Sequence, residues 1–184
     1  MEKIGFFGGC FNPPTNIHIN IANSLIKQGK LDKVVFVPVN DYYKKQDLAK
    51  SKHRLNMLKI ALKDYENLKV DDIEIKANRI LCAVDAFELI INSNTYKQKE
   101  NFMIMGSDNY DKMPQWKDYT KINNKYKYIV IDRNENEISS TQIREMIKNN
   151  DKKVMEYLPE EVYNYIIENE LYKFKCQIHK NNNL

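Results

Sequence analysis

Apolar runs and helically spaced apolar positions alternate along most of the chain. Ile4-Gly5-Phe6-Phe7 is an unbroken apolar run and predicts a strand over 3–8. The stretch from Ile17 to Gln28 predicts a helix that stops at Gly29. Val34-Val35-Phe36-Val37-Pro38-Val39 is a continuous, mostly β-branched run, the pattern of a strand buried on both faces. Between His53 and Tyr65, Leu55, Leu58, Ile60 to Leu62 and Tyr65 recur at helical spacing. Val70, Ile73 and Ile75 mark a short third strand, and 81–91 is helical again. Phe102-Met103-Ile104-Met105 before Gly106 predicts a fourth strand. A short helix or two turns follow over 113–122, a fifth strand over 126–131, and closing helices over 139–148 and 159–168.

Strands alternating with helices imply βαβ units and a parallel sheet. The expected fold is therefore α/β: a doubly wound, Rossmann-like, five-stranded parallel sheet of order 3-2-1-4-5. Helices cover both faces, and a helical segment closes the C-terminus. One domain is expected over 1–174, with a flexible tail over 175–184. Ligands of such sheets bind beyond the carboxyl ends of the strands. That edge would collect Gly8 to His18, Asn40 with Lys44 and Lys45, Lys76 with Arg79, Gly106 to Asp108 with Trp116, and Ser139 to Arg144.

Composition narrows the function classes. Apolar residues make up 42% and charged residues 29%, so the chain is globular. No apolar run approaches the ~20 residues of a membrane span, and no leader pattern opens the chain, so a cytoplasmic protein is expected. The net charge of +4 is too mild to indicate nucleic-acid binding by itself. Cys10, Cys82 and Cys176 are odd in number and far apart, without zinc-ligand spacing; no protein-held metal is expected.

Two stretches carry candidate chemistry. The first joins a strand to a helix through Gly8, Gly9, Cys10, Phe11, two prolines and Thr15, with His18 in the first helical turn. Glycines let backbone approach a ligand and tolerate positive φ, and helix N-termini attract anions. The second, Ser139-Ser140-Thr141-Gln142-Ile143-Arg144, opens another helix. Ser139 and Gln142 have capping-box spacing, while the extra hydroxyls and the guanidinium suit a polyphosphate. Trp116 reads as a core plug, the commonest fate of a lone tryptophan, or as a stacking platform, and Asp108 as a cap or a partner for a ribose hydroxyl or a metal-bound water.

Taken together, these motifs resemble the nucleotidyltransferases that carry an (H/T)-x-G-H signature, and most closely the bacterial nicotinate-nucleotide adenylyltransferases. Gly8 to His18 resembles the first signature, and Ile138 to Arg144 the second. Met105-Gly106-Ser107-Asp108, followed by Pro114-Gln115-Trp116, and the ending from Leu158 to Tyr172 are similar to the nicotinate branch. The resemblance implies adenylyl transfer from ATP, with Mg²⁺, to nicotinate mononucleotide by in-line attack. It leaves as alternatives nicotinamide mononucleotide, phosphopantetheine, or a nucleotide-binding module without catalysis. It implies catalytic roles for His18, Thr15 and Arg144. ATP binding would fall to Gly8, Gly9, Cys10, Phe11, Gly106, Asp108, Ser139, Ser140 and Thr141 beside His18 and Arg144. Lys45, Arg54, Asp85, Asp108 and Trp116 would bind the acceptor. The partners implied are small molecules, with no nucleic acid and no membrane. The chain departs from the pattern at Ile17, where the signature has glycine, at 79–84, at Tyr42-Tyr43-Lys44-Lys45, and in the short connection over 132–137.

Overall fold

The structure, a computed structural model, describes residues 1–116, 119–132 and 138–173. In chain order its elements are β1 (Lys3–Gly9), α1 (Asn16–Lys27), β2 (Lys33–Pro38), α2 (Ser51–Leu62), β3 (Leu68–Val70), α3 (Ile73–Lys76) and α4 (Ala83–Ile91). Then come β4 (Glu100–Gly106), α5 (Ser107–Lys112), α6 (Tyr119–Lys125), β5 (Lys127–Ile131), α7 (Ser140–Lys148) and α8 (Glu160–Glu168). β1 lies at the centre of one parallel sheet of order β3-β2-β1-β4-β5, the doubly wound order the sequence predicts.

Side chains alternate across this sheet with period two. Ile4, Phe6, Val35, Val37, Met103 and Met105 point to a layer that includes Phe87 and Ile90 of α4. Val34, Phe36 and Ile104 point to the other layer, which holds Ala22 of α1, Leu58 of α2, Ile143 of α7 and Ile166 of α8. Both faces are covered, which is why these strands read as unbroken apolar runs. A side chain at Gly5 would collide with Leu31 and Ile104, so glycine is needed where the central strand meets that layer. Gly29 ends α1 in the left-handed region, φ +67°, as the helix-stop reading requires.

One expectation needs correction. The third strand ends at Val70, and Ile73 and Ile75 lie in helix α3. Asp71 makes the break: its carboxylate accepts the Ile73 N–H at 2.9 Å and the Tyr96 hydroxyl at 3.0 Å. A local side-chain acceptor thus replaces the next ladder bond. The short helix or two turns expected over 113–122 are a 3₁₀ turn (Met113–Gln115) followed by α6, and helix α5, which the sequence reading does not mark, begins directly at the end of β4. The tail expected over 175–184 and most of the 132–137 connection lie outside the described residues. Among the described residues no helix is long and apolar enough to cross a membrane.

Candidate active site

The carboxyl ends of β1, β2 and β4 open into one cavity of about 700 Å³. Of the residues expected there, Gly8, Gly9, Cys10, Phe11, Thr15 and His18 line it from the β1–α1 connection. Ser139, Ser140, Thr141 and Arg144 line it from α7, and Lys45, Gly106 and Trp116 from three further segments. Arg54, Asp85 and Asp108 do not line it.

The glycines do not act through positive φ, as expected from sequence. Gly8 and Gly9 are still paired with Val37 and Pro38 of β2. Gly8 matters for space: an added Cβ would meet nothing within 4 Å, which leaves the backbone open at the cavity wall. Gly9 instead packs closely against the Phe11 ring. The left-handed residue of the loop is Phe11, φ 46°, whose buried ring lies against Phe7, Phe36 and His18.

Thr15 and His18 form a reciprocal capping box at the start of α1. The Thr15 N–H donates to His18 Nδ1 at 3.1 Å, and the Thr15 hydroxyl lies 2.7 Å from the same nitrogen. An Nδ1 that accepts leaves the ring proton on Nε2, the nitrogen that can then donate to an anion. This helix start is less open than a bare terminus, because the Asn16 N–H already donates to the Tyr157 carbonyl at 2.9 Å. Ile17, the departure from the signature, is the second residue of α1 and sits in ordinary helical backbone. Its side chain lines the cavity.

The start of α7 faces the same cavity. Ser139 caps it in a second capping box, donating its N–H to Gln142 Oε1 at 2.8 Å and accepting the Gln142 N–H at 3.2 Å. Ser140 and Thr141 are left at the cavity edge. Arg144 is 5% exposed. Its guanidinium donates to the Asn12 carbonyl at 3.0 Å, the Ser140 carbonyl at 3.2 Å and Thr141 Oγ1 at 3.3 Å. A guanidinium has five N–H donors, so these bonds orient the group and leave donors for a ligand.

The acceptor-side expectations divide. Lys45 stands exposed at the rim with Tyr43. Trp116 is half-buried and walls the cavity beyond β4. Arg54, expected to contact substrate, is fully buried. Its nitrogens donate to the carbonyls of Ala49 (2.7 Å), Val39 (2.7 Å) and Cys10 (3.0 Å), with Asp41 at 3.5 Å. Three main-chain carbonyls account for the burial, and burial pushes its pKa down against the pull of Asp41. Asp85 is exposed in the first turn of α4. Asp108 is exposed on α5, where the neighbouring Asn109 takes the place at the cavity wall. Lys76 pairs with Asp72 at 2.8 Å, and Lys76, Arg79 and Lys44 are not among the lining residues.

Sequence reasoning missed two buried groups at this edge. Glu74, 7% exposed, lines the cavity, and burial raises its carboxyl to about 7, opposed by the Asn40 backbone and by Arg54. Asn12, 2% exposed, lies in the β1–α1 connection and bonds to the lysine loop and to the segment after α8. Cys10 is half-buried between them; burial raises its thiol pKa, and Lys45, Arg54 and Arg144 oppose the rise. Among the described residues no group of three or more His, Cys, Asp or Glu could hold a metal ion.

Residues 6–146 match the Cytidylyltransferase-like family. The nicotinate-nucleotide adenylyltransferase of Bacillus subtilis (strain 168) is 32% identical over 192 residues, covering 94% of this chain and 100% of that protein. The fold is shared with Plasmodium falciparum nicotinic acid mononucleotide adenylyltransferase. Its complex with NaAD superposes with a TM-score of 0.72 at 17% identity, covering 94% of this chain and 98% of that one. Its complex with APC gives 0.71 at 18%, with the same coverage. With two helix starts on one cavity and relatives matched over nearly their whole length, the chain belongs to the cytidylyltransferase-like family, among the nicotinate-nucleotide adenylyltransferases.

Proposed function

We propose that this chain transfers the adenylyl group of ATP to nicotinate mononucleotide, releasing pyrophosphate and deamido-NAD. The observation that carries the reading is the convergence of the α1 and α7 starts on one cavity, with His18 and Arg144 both lining it. A 5′-phosphate oxygen of the acceptor forms the new bond to the α-phosphorus. The bond from that phosphorus to the bridging oxygen breaks, and pyrophosphate leaves with the electron pair. No nucleophilic side chain is required; positioning and charge stabilisation do the work.

His18, with its proton on Nε2, donates to the charge that develops at the α-phosphate, and Thr15 fixes that tautomer. Ser140, Thr141 and the remaining donors of Arg144 take the β- and γ-phosphates. Gly8 gives the triphosphate a wall without side chain. Lys45 meets the acceptor phosphate, and Trp116 offers its indole face to the pyridine ring. Magnesium enters on the phosphate oxygens of ATP as part of the substrate. We place this activity in the cytoplasm.

The test is pyrophosphate release from ATP and Mg²⁺ with a panel of acceptors: nicotinate mononucleotide, nicotinamide mononucleotide and phosphopantetheine. The expected result is the highest kcat/KM with nicotinate mononucleotide. Preference for another acceptor overturns the substrate, and ATP binding without release on any acceptor overturns the activity.

A further inference from the structure

We propose that Asn12 is a positioning residue that sets the Lys45 loop over the cavity and ties it to the C-terminal segment through Tyr172. The proposal rests on the reading of Lys45 as the group that meets the acceptor phosphate. The side-chain amide of Asn12 and its main-chain carbonyl are engaged across long stretches of chain. Its Oδ1 accepts the Ala49 N–H at 3.0 Å and the Tyr172 hydroxyl at 2.8 Å. Its Nδ2 donates to the Asp47 carbonyl at 2.8 Å. Its own carbonyl accepts from Arg144 at 3.0 Å. One buried amide therefore joins the β1–α1 connection to the lysine loop and the segment after α8, while the main-chain carbonyl of the same residue takes the bond from α7.

The loop it holds has few other anchors. Between β2 and α2 its residues 41–47 are exposed, and Lys44 and Lys45 stand on that stretch. At one end the Asp41 carboxylate accepts the Ser51 N–H at 2.6 Å and the Ser51 hydroxyl at 2.9 Å. At the other, Ala49 is held twice, by Asn12 on its N–H and by Arg54 on its carbonyl. Asp47, two residues past Lys45, reaches the left-handed region at φ 55° and turns its carbonyl to Asn12. Without the amide, Lys45 keeps its chemistry and loses its place. Tyr172 is a suitable third partner: burial pushes its pKa above the ordinary tyrosine range, so it remains a neutral donor.

Two readouts test this, one of them independent of activity. In Asn12→Ala, tryptic nicking after Lys44 and Lys45 should accelerate by roughly 10-fold, as a local opening does when its anchors go. Acceptor KM should rise by roughly 10-fold, the size of one displaced charge-assisted contact, while ATP KM and kcat change little. In a Lys45→Ala background the same substitution should leave acceptor KM unchanged, because the group it positions is already gone. Equal rises in both KM values, or effects that multiply with Lys45→Ala, overturn the proposal. If Asn12→Ala does not fold, Tyr172→Phe removes a single hydroxyl and should move nicking and acceptor KM in the same direction by roughly 3-fold. No change in either overturns it. A wild-type protein that turns over no acceptor refutes the proposed function, and the nicking rates then decide the role of Asn12 alone.

Discussion

Glu74 supplies the sharpest quantitative prediction, through Glu74→Gln. Its carboxyl is raised from an ordinary 4.5 to about 7, chiefly by burial. Among the described residues no ion pair to Glu74 offsets that burial; Arg54, whose charge lowers the Glu74 pKa, is itself committed to three carbonyls. The sign follows from proton counts. Between 4.5 and about 7 the folded state keeps a proton that the unfolded chain has already lost, so stability falls as pH rises through that window. Working from that interval, the loss by pH 8 is about 3 kcal/mol. The glutamine is neutral throughout and nearly the same size. Glu74→Gln should match the wild type in thermal midpoint at pH 4.5 and exceed it at pH 8 by roughly 5–10 °C, the conversion for a domain of this size. The assay is thermal unfolding of both proteins in matched buffers across that range. Parallel midpoint curves would refute the reasoning, since they would mean that the carboxyl ionises inside the fold as it does outside.

Two further predictions address the chemistry. His18→Ala should lower kcat by roughly 10²-fold or more, as loss of a single charge-stabilising donor does elsewhere, with ATP KM changing far less; steady-state pyrophosphate release checks it, and near-normal kcat would remove His18 from its role. Trp116→Ala should raise acceptor KM much more than ATP KM, and equal changes would make the indole a core plug.

The sheet was readable from residues because its signals are local. Val34 to Pro38 is apolar at every position since both faces are covered, and Gly29 marks the end of α1 since its φ demands it. Thr15, His18, Ser139 and Arg144 were readable for a related reason: helix starts beside strand ends are the places where an α/β sheet presents donors. The strand positions and the residues at those two helix starts therefore came from short windows of chain. Glu74 was lost through the one wrong element. Read as a strand, Ile73-Glu74-Ile75 puts both isoleucines inward and the glutamate in water. As helix α3 it carries the glutamate under the cavity edge and leaves both isoleucines only partly covered.

Arg54 and Asn12 fail for a different physical reason. An arginine beside a lysine-rich loop looks like a ligand group, yet its partners are the carbonyls of Ala49, Val39 and Cys10. Asn12 looks like loop filler, yet it binds the main chain of Asp47 and Ala49. Main-chain groups are the same at every non-proline residue, so no side-chain pattern announces them as partners. Asp108 and Asn109 make the complementary case: both are polar and adjacent, and only the start of α5 at Ser107 decides which lines the cavity. Residues that act through their own chemistry are thus visible in sequence, while those that act by holding backbone become visible only once the backbone has a course. The lysine loop at the rim of this cavity is held by residues of the second kind. It is placed by Arg54 from one side and Asn12 from the other, so substitutions at either should alter acceptor use without touching the acceptor.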